Sequence, residues 1–163
     1  MIPRIKRILF ATDLSLNAFY VFRYALNSAE KHAAKIDILH VVQPVKGMGY
    51  ALPPAKKDSI IKKLNNRIDI LTKEEFKENP SFVNRISKIH VKAGDPTKVI
   101  LQTVEELKPD ILIMGTHSQG VIERAILGSV ATKVLRRIRI PVYIIPIPIL
   151  PTPFVEWLLQ QKY

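Results

Sequence analysis

Cysteine is absent from this chain of 163 residues, which excludes disulfide bonds, thiolate zinc sites and a cysteine nucleophile. Long apolar runs are lacking as well. The run at residues 8–11 is interrupted by Asp13 before it reaches the length of a signal-peptide core. No run approaches the ~20 residues that a membrane-spanning helix needs. From these absences we expect a cytoplasmic protein with no membrane partner.

The motifs of several enzyme classes are also missing. The sequence has no Gly-x-x-x-x-Gly-Lys-Ser/Thr phosphate loop, no Gly-x-Gly-x-x-Gly after a strand and no Gly-x-Ser-x-Gly nucleophile elbow. His117 has no partner at metal-ligand spacing. We therefore predict neither catalytic residues nor metal ligands, and the sequence favours a binding role over an enzymatic one.

The composition is that of an ordinary globular protein. With 47% hydrophobic and 24% charged residues, the chain is long enough for one domain and lacks the bias of a disordered protein. The net charge of +11 is compatible with nucleic acid, an anionic membrane surface or a small anionic ligand. Because lysine and arginine are spread along the chain in short pairs such as Lys56-Lys57, solvated helix faces are favoured over a nucleic-acid footprint.

Short apolar runs alternate with segments of helical periodicity. The runs that predict strands are residues 8–11, 36–42, 86–91, 111–114 and 142–145. The segments that predict helices are residues 15–33, 61–71, 96–109 and 129–137. This alternation predicts a doubly wound five-stranded parallel sheet with helices on both faces, in the α/β class. We expect the most hydrophobic run, residues 111–114, at the centre of the sheet and the more polar run, residues 86–91, at an edge.

The C-terminal segment differs in composition from the rest of the chain. Four prolines between residues 146 and 153 disfavour regular strand pairing, and an apolar stretch around Trp157 predicts a short helix. We therefore divide the chain into a domain at residues 1–146 and a proline-rich extension at residues 147–163. The extension is expected to dock on its own domain or on a partner subunit, since it has too few basic residues to favour a membrane surface.

Short sequences that contain polar residues lie at the ends of three predicted strands, where ligands bind in open α/β sheets. They are Ala11-Thr12-Asp13 after the first strand, residues 41–43 after the second and residues 115–118 after the fourth. Because the carboxyl ends of parallel strands meet at one edge of the sheet, we expect these residues to converge. His40, by contrast, falls on the strand pattern and is expected to pack.

The segment from Gly115 to Ser129 has the features of an anion site. Glycine permits close approach of a ligand to the backbone, and the N–H groups of Val130, Ala131 and Thr132, with the Ser129 hydroxyl, could hold a phosphate at a helix start. The alternative is structural: Gly115 turns the chain and Ser129 caps the helix. The residues alone leave both interpretations open.

The sequence resembles the universal stress protein family. Gly115, Ser118, Gly128 and Ser129 lie at the spacing of its nucleotide-binding motif, and the resemblance extends over residues 4–146. It implies the adenine nucleotide alpha hydrolase-like, Rossmann-like fold and ATP as ligand, alone or with Mg2+ or Mn2+, as in the ATP-binding branch. It also implies a homodimer joined through residues 142–145, whose exposed edge would otherwise invite uncontrolled pairing.

Individual roles follow from the same resemblance. The position of Asp13 would face the adenine, and Val41 would offer backbone hydrogen bonds to the base. The other implied ligand contacts are Ala11 and Thr12 beside the base, Met114 and Gly115 at the ribose and phosphates, and Gly128, Ser129, Val130 and Ala131 at the phosphate tail. His117 and Gly120 lie in the predicted phosphate loop, where His117 could contact the ligand or be solvated.

One residue departs from the family motif, because Ser118 stands where the family has a second glycine. If that position needs positive φ, a β-carbon costs about 1 kcal/mol, although Gly120 could shift the turn. The favoured function is an ATP-responsive regulatory module in stress response. The alternatives are a slow ATPase or phosphotransferase in the same pocket, a regulatory dimer that binds no nucleotide, and nucleic-acid binding through the basic surface.

Overall fold

The predicted strands all form and join one parallel sheet. The computed structural model describes residues 2–44, 51–74, 76–77, 80–116, 127–147 and 153–160. The strands are β1 (Arg7–Thr12), β2 (Lys35–Val42), β3 (Ile86–Ala93), β4 (Ile111–Gly115) and β5 (Val142–Ile145). Their order across the sheet is β3-β2-β1-β4-β5, so the five-stranded parallel α/β fold is confirmed.

Helices cover both faces of this sheet. They are α1 (Leu16–His32), α2 (Pro54–Glu74), α3 (Pro96–Leu107), α4 (Ser129–Leu135) and α5 (Pro153–Gln160), with a 3-10 helix at Pro80–Arg85. The predicted cap of α1 is confirmed, since the Ser15 hydroxyl accepts a hydrogen bond of 3.1 Å from the Ala18 N–H. Helix α4 ends two residues earlier than predicted, and residues 136–137 form a turn.

Successive side chains of each strand face opposite sides of the sheet, so the core is divided into two layers. On one face, Ile8 and Phe10 of β1 pack with the apolar sides of α1 and α2. On the other face, Leu9 of β1 packs with α3 and α4. Both layers are needed because a parallel strand buried on both faces must find an apolar partner on each side.

The expectation that β4 lies at the centre is wrong. The middle strand is β1, which pairs with β2 on one side and β4 on the other. Hydrophobicity reports how well the two faces of a strand are covered, and residues 111–114 of β4 are as fully buried as residues 8–10 of β1. The prediction for β3 is confirmed, since this more polar strand lies at the sheet edge.

The C-terminal helix docks on its own domain. Helix α5 packs against α1, and Trp157 contacts the apolar cluster on the α1 face. Within the described part of the chain, no helix combines the length and apolar character required to cross a bilayer.

Candidate functional site

A cleft opens at the carboxyl end of the sheet. The chain places β2 and β3 on one side of β1 and β4 and β5 on the other, so the strand order reverses between β1 and β4. Such a reversal leaves a crevice in which ligands of doubly wound sheets bind. The cleft has a volume of about 240 Å³, close to the lower limit of roughly 300 Å³ for small-molecule sites.

The predicted site residues that the structure describes all line this cleft. They are Ala11, Thr12, Asp13, Val41, Met114, Gly115, Gly128, Ser129, Val130 and Ala131. They come from β1, β2, β4 and the start of α4, so the expected convergence of three strand ends is present. His117, Ser118 and Gly120 lie outside the described residues, and the effect of serine at position 118 stays a prediction.

The turn between β1 and α1 is fixed by its own polar side chains. The Thr12 hydroxyl accepts a hydrogen bond of 3.2 Å from the Leu14 N–H, and an Asp13 carboxylate oxygen accepts one of 2.9 Å from the Ser15 N–H. Leu14 has a left-handed φ of 64°, and Arg67 of α2 donates to its carbonyl at 2.6 Å. These bonds hold the Asp13 carboxylate at the edge of the cleft.

His40 also lines the cleft, a role that sequence reasoning missed. Its Nδ1 lies 2.9 Å from the Thr12 carbonyl oxygen, which can only accept, so Nδ1 carries the proton. Burial lowers the pKa of His40 below its ordinary value, and this effect exceeds the opposing effects of the Thr12 carbonyl and the Asp13 charge. The ring is therefore neutral near pH 7, with Nδ1 donating to the turn.

Gly115 has a structural role that differs from the one expected. A β-carbon at this position would lie 2.6 Å from Cδ1 of Ile147, a distance that no real contact tolerates. The missing side chain therefore makes room for Ile147, which follows β5 and also lines the cleft. The sequence left Gly115 either beside a ligand or as a turn of the chain, and neither interpretation included this contact with Ile147.

The start of α4 differs in detail from the predicted anion site. Gly128 rather than Ser129 is the N-cap, and within the described residues no side chain caps the first turn. The Thr132 N–H donates to the Gly128 carbonyl at 2.9 Å, so the expectation that it points at a ligand is wrong. The first-turn N–H groups closer to the cleft belong to Ser129, Val130 and Ala131, all of which line it.

Further lining residues were missed because they carry no local polar motif. These are Phe10, Ala18, Val21, Leu39, Pro96, Ile100 and Ile147. Most of them read as ordinary core positions, and only the packing of helices over the strand ends turns them toward the cleft. Among the described residues, no group of three histidine, aspartate or glutamate side chains could hold a metal ion.

The fold and the cleft together define a class of protein. A parallel sheet of order β3-β2-β1-β4-β5 with a crevice at the β1–β4 reversal is the adenine nucleotide alpha hydrolase-like form of the doubly wound α/β fold. The Universal stress protein family matches residues 4–146, which is most of the chain. The protein belongs to that family.

Similar proteins come from archaea and bacteria. The universal stress protein MJ0531 of Methanocaldococcus jannaschii is 29% identical over 150 residues, covering 88% of this chain and 83% of its own length. A putative universal stress protein of Staphylococcus aureus is 25% identical over 155 residues, covering 91% of this chain and 89% of its own.

Solved structures share the fold. The hypothetical protein MJ0577 superimposes with a TM-score of 0.61 at 23% identity, covering 88% of this chain and 97% of its own. A universal stress protein in complex with cAMP superimposes with a TM-score of 0.61 at 21% identity, covering 90% of this chain and 100% of its own. A universal stress protein of Archaeoglobus fulgidus in complex with dAMP superimposes with a TM-score of 0.58 at 18% identity, covering 87% of this chain and 98% of its own.

Proposed function

We propose that this protein binds ATP or a related adenine nucleotide in the cleft at the β1–β4 reversal and acts as a nucleotide-responsive regulatory module in stress response. The observation that carries the proposal is the convergence of every described motif residue on one cleft. Structures of the same fold in complex with cAMP and dAMP support it. Occupancy would alter the surface around the cleft, which a partner could then recognise.

In this proposal the two sides of the cleft have different tasks. Asp13 and the backbone of Val41 contact the base, with Ala11 and Thr12 beside it. The backbone N–H groups at the start of α4, from Ser129 to Ala131, contact the phosphates, and Mg2+ or Mn2+ accompanies them as counter-charge.

Isothermal titration calorimetry with ATP, AMP and GTP tests the proposal. We expect ATP to bind with a sub-millimolar Kd and Asp13→Asn to weaken binding at least about tenfold, since a hydrogen bond to a charged group is among the stronger ones. Asp58→Asn, an exposed carboxylate on α2, is the matched control and should leave the Kd unchanged. If no adenine nucleotide binds with a Kd below 1 mM, which corresponds to about 4 kcal/mol of binding free energy, the proposal is refuted.

We further propose a homodimer through β5. This strand is one of the two edges of the sheet, and its Tyr143 is 41% exposed, so a twofold partner would cover both an open edge and an apolar ring. Sedimentation at micromolar concentration should give a dimer, and Tyr143→Lys should shift it toward monomer. A wild-type protein that sediments as a monomer would contradict this assembly.

The cytoplasmic location expected from the sequence stays a prediction.

A further inference from the structure

The first residue of the C-terminal extension forms part of the cleft. Ile147 lies two residues beyond the end of β5, yet it is only 8% exposed and belongs to the apolar cluster on the α1 face. It also lines the cleft together with Gly115 and Val21. The extension therefore begins inside the candidate site.

The fit of Ile147 depends on the absence of a side chain at position 115. An added β-carbon on Gly115 would lie 2.6 Å from Cδ1 and 3.1 Å from Cγ1 of Ile147, and 3.3 Å from Cγ2 of Val21. The Ile147 side chain thus fills the gap between β4 and α1. Any larger residue at position 115 would have to displace it.

Thr116 joins this contact to the start of α4. Its N–H donates to the Ile145 carbonyl at 3.1 Å, and its hydroxyl accepts a hydrogen bond of 3.1 Å from the Ile147 N–H. Its own carbonyl accepts from the Gly128 N–H, directly before α4. One residue therefore links the end of β5, the extension and the helix start that borders the cleft.

The far end of the extension contacts a helix that contributes to the cleft. Helix α5 packs on α1, and Trp157 contacts the same apolar cluster as Ile147. Helix α1 supplies Ala18 and Val21 to the cleft. The extension is thus attached to elements on two sides of the site.

We propose that Ile147 is a ligand-contacting residue that couples the C-terminal extension to occupancy of the cleft. Its side chain offers an apolar wall for the base or ribose of an adenine nucleotide, so this inference rests on the proposed function for its ligand. A ligand that packs on Ile147 favours the docked extension. By thermodynamic reciprocity, the docked extension favours the bound ligand.

The calorimetric experiment compares two isoleucines of similar burial. Ile68 of α2 is 7% exposed, belongs to the same apolar cluster as Ile147 and does not line the cleft. We expect Ile147→Ala to weaken ATP binding at least about fivefold in calorimetry, and Ile68→Ala to leave the Kd unchanged. Equal Kd values for the two variants would overturn the inference while leaving the proposed function intact.

A second experiment measures hydrogen–deuterium exchange of the α5 amides, with their rates normalised to the rates of the β1 amides. ATP should slow exchange in α5 of the wild type, and Gly115→Ala should speed it without ligand because its β-carbon displaces Ile147. Thr116→Val, which removes the bond to the Ile147 N–H, should act in the same direction more weakly. Exchange in α5 that does not respond to ATP would overturn the coupling.

The two proposals fail in distinguishable ways. A wild type that binds no adenine nucleotide refutes the proposed function through calorimetry alone. In that case the ligand-free exchange decides whether Ile147 anchors the extension in the cleft. Equal α5 exchange in the wild type and Gly115→Ala would overturn the anchoring as well.

Discussion

The amino and carboxyl ends of the sheet differ in how their polar groups are used. At the amino end, Asp37 of β2 is buried to 1% exposure, and both of its oxygens have partners. Arg7 Nε lies 2.7 Å from Oδ2, and His90 Nε2 lies 2.8 Å from Oδ1. At the carboxyl end, the same strands border a cleft of about 240 Å³. Charges are satisfied internally at one end, while space is left for a ligand at the other.

Asp37 shows how the amino end is stabilised. Burial by itself would raise the pKa of Asp37, but the hydrogen bonds and charges of Arg7 and His90 outweigh it and hold the pKa below the ordinary value. Arg7 Nη1 also donates to the Leu107 carbonyl at 3.0 Å. The Asp110 carboxylate accepts from the Arg7 N–H at 2.8 Å. This network ties β1, β2, β3 and the end of α3 together.

Because these two features lie at opposite ends of the sheet, we expect that stability and ligand binding can be perturbed separately. A change at the amino end should lower the free energy of unfolding and leave ligand affinity alone. A change in the cleft should do the reverse.

The largest expected effect is that of Asp37→Asn. The amide has only one accepting oxygen, so Arg7 or His90 loses its carboxylate acceptor, and the ion pair of a buried carboxylate is broken. We expect the free energy of unfolding to fall by about 3 kcal/mol in urea denaturation. Asp69→Asn, on an exposed position of α2, should change it by less than about 0.5 kcal/mol. A loss of nucleotide affinity matching the loss of stability would show that the two ends of the sheet are not independent.

A cleft-filling substitution has the next largest effect. Ala11→Leu adds a branched side chain to a half-buried lining position, where it takes space from the base. ATP affinity should fall at least tenfold, or about 1.4 kcal/mol, while the urea midpoint stays close to that of the wild type. Ala55→Leu, on the exposed side of α2, is the matched control for both measurements. Unchanged affinity in Ala11→Leu would show that the base lies elsewhere.

The smallest effect is a difference in pH dependence between the two ends. The pKa of His40 is lowered from 6.5 by burial. As the pH falls, His40 therefore becomes protonated in the unfolded chain at a higher pH than in the folded chain. The free energy of unfolding should therefore decrease as the pH falls from about 6.5 through the lower folded value. His40→Gln should remove that slope. A slope that persists unchanged in His40→Gln would assign it to other groups.

The Asp37 contribution should appear in a separate window. Its pKa is lowered from 3.8 in the folded state, so its stabilising effect is complete above that value and is lost as the pH falls through the folded pKa. The stability difference between the wild type and Asp37→Asn should thus be constant near neutral pH and shrink below pH 3.8. Urea denaturation of both proteins at a series of pH values measures it.

Much of the site could be predicted because its residues carry local signals. Asp13 follows an apolar strand, Gly128 precedes a helix, and the strand ends of a parallel sheet must meet at one edge. His40 was missed because one residue on a strand does not reveal which neighbour its ring contacts. Ile147 was missed because its partner Thr116 lies 31 residues away in the sequence.

The sequence by itself determined the alternation of strands and helices, the cap at Ser15 and the carboxyl-end location of the cleft, because each depends on periodicity or on chemistry within a few residues. The tertiary structure alone decided that β1 is central, that Asp37 has two partners and that Ile147 fills the space beside Gly115. These depend on which distant segments pack together, and pairings across the sheet leave no periodic trace in a single chain.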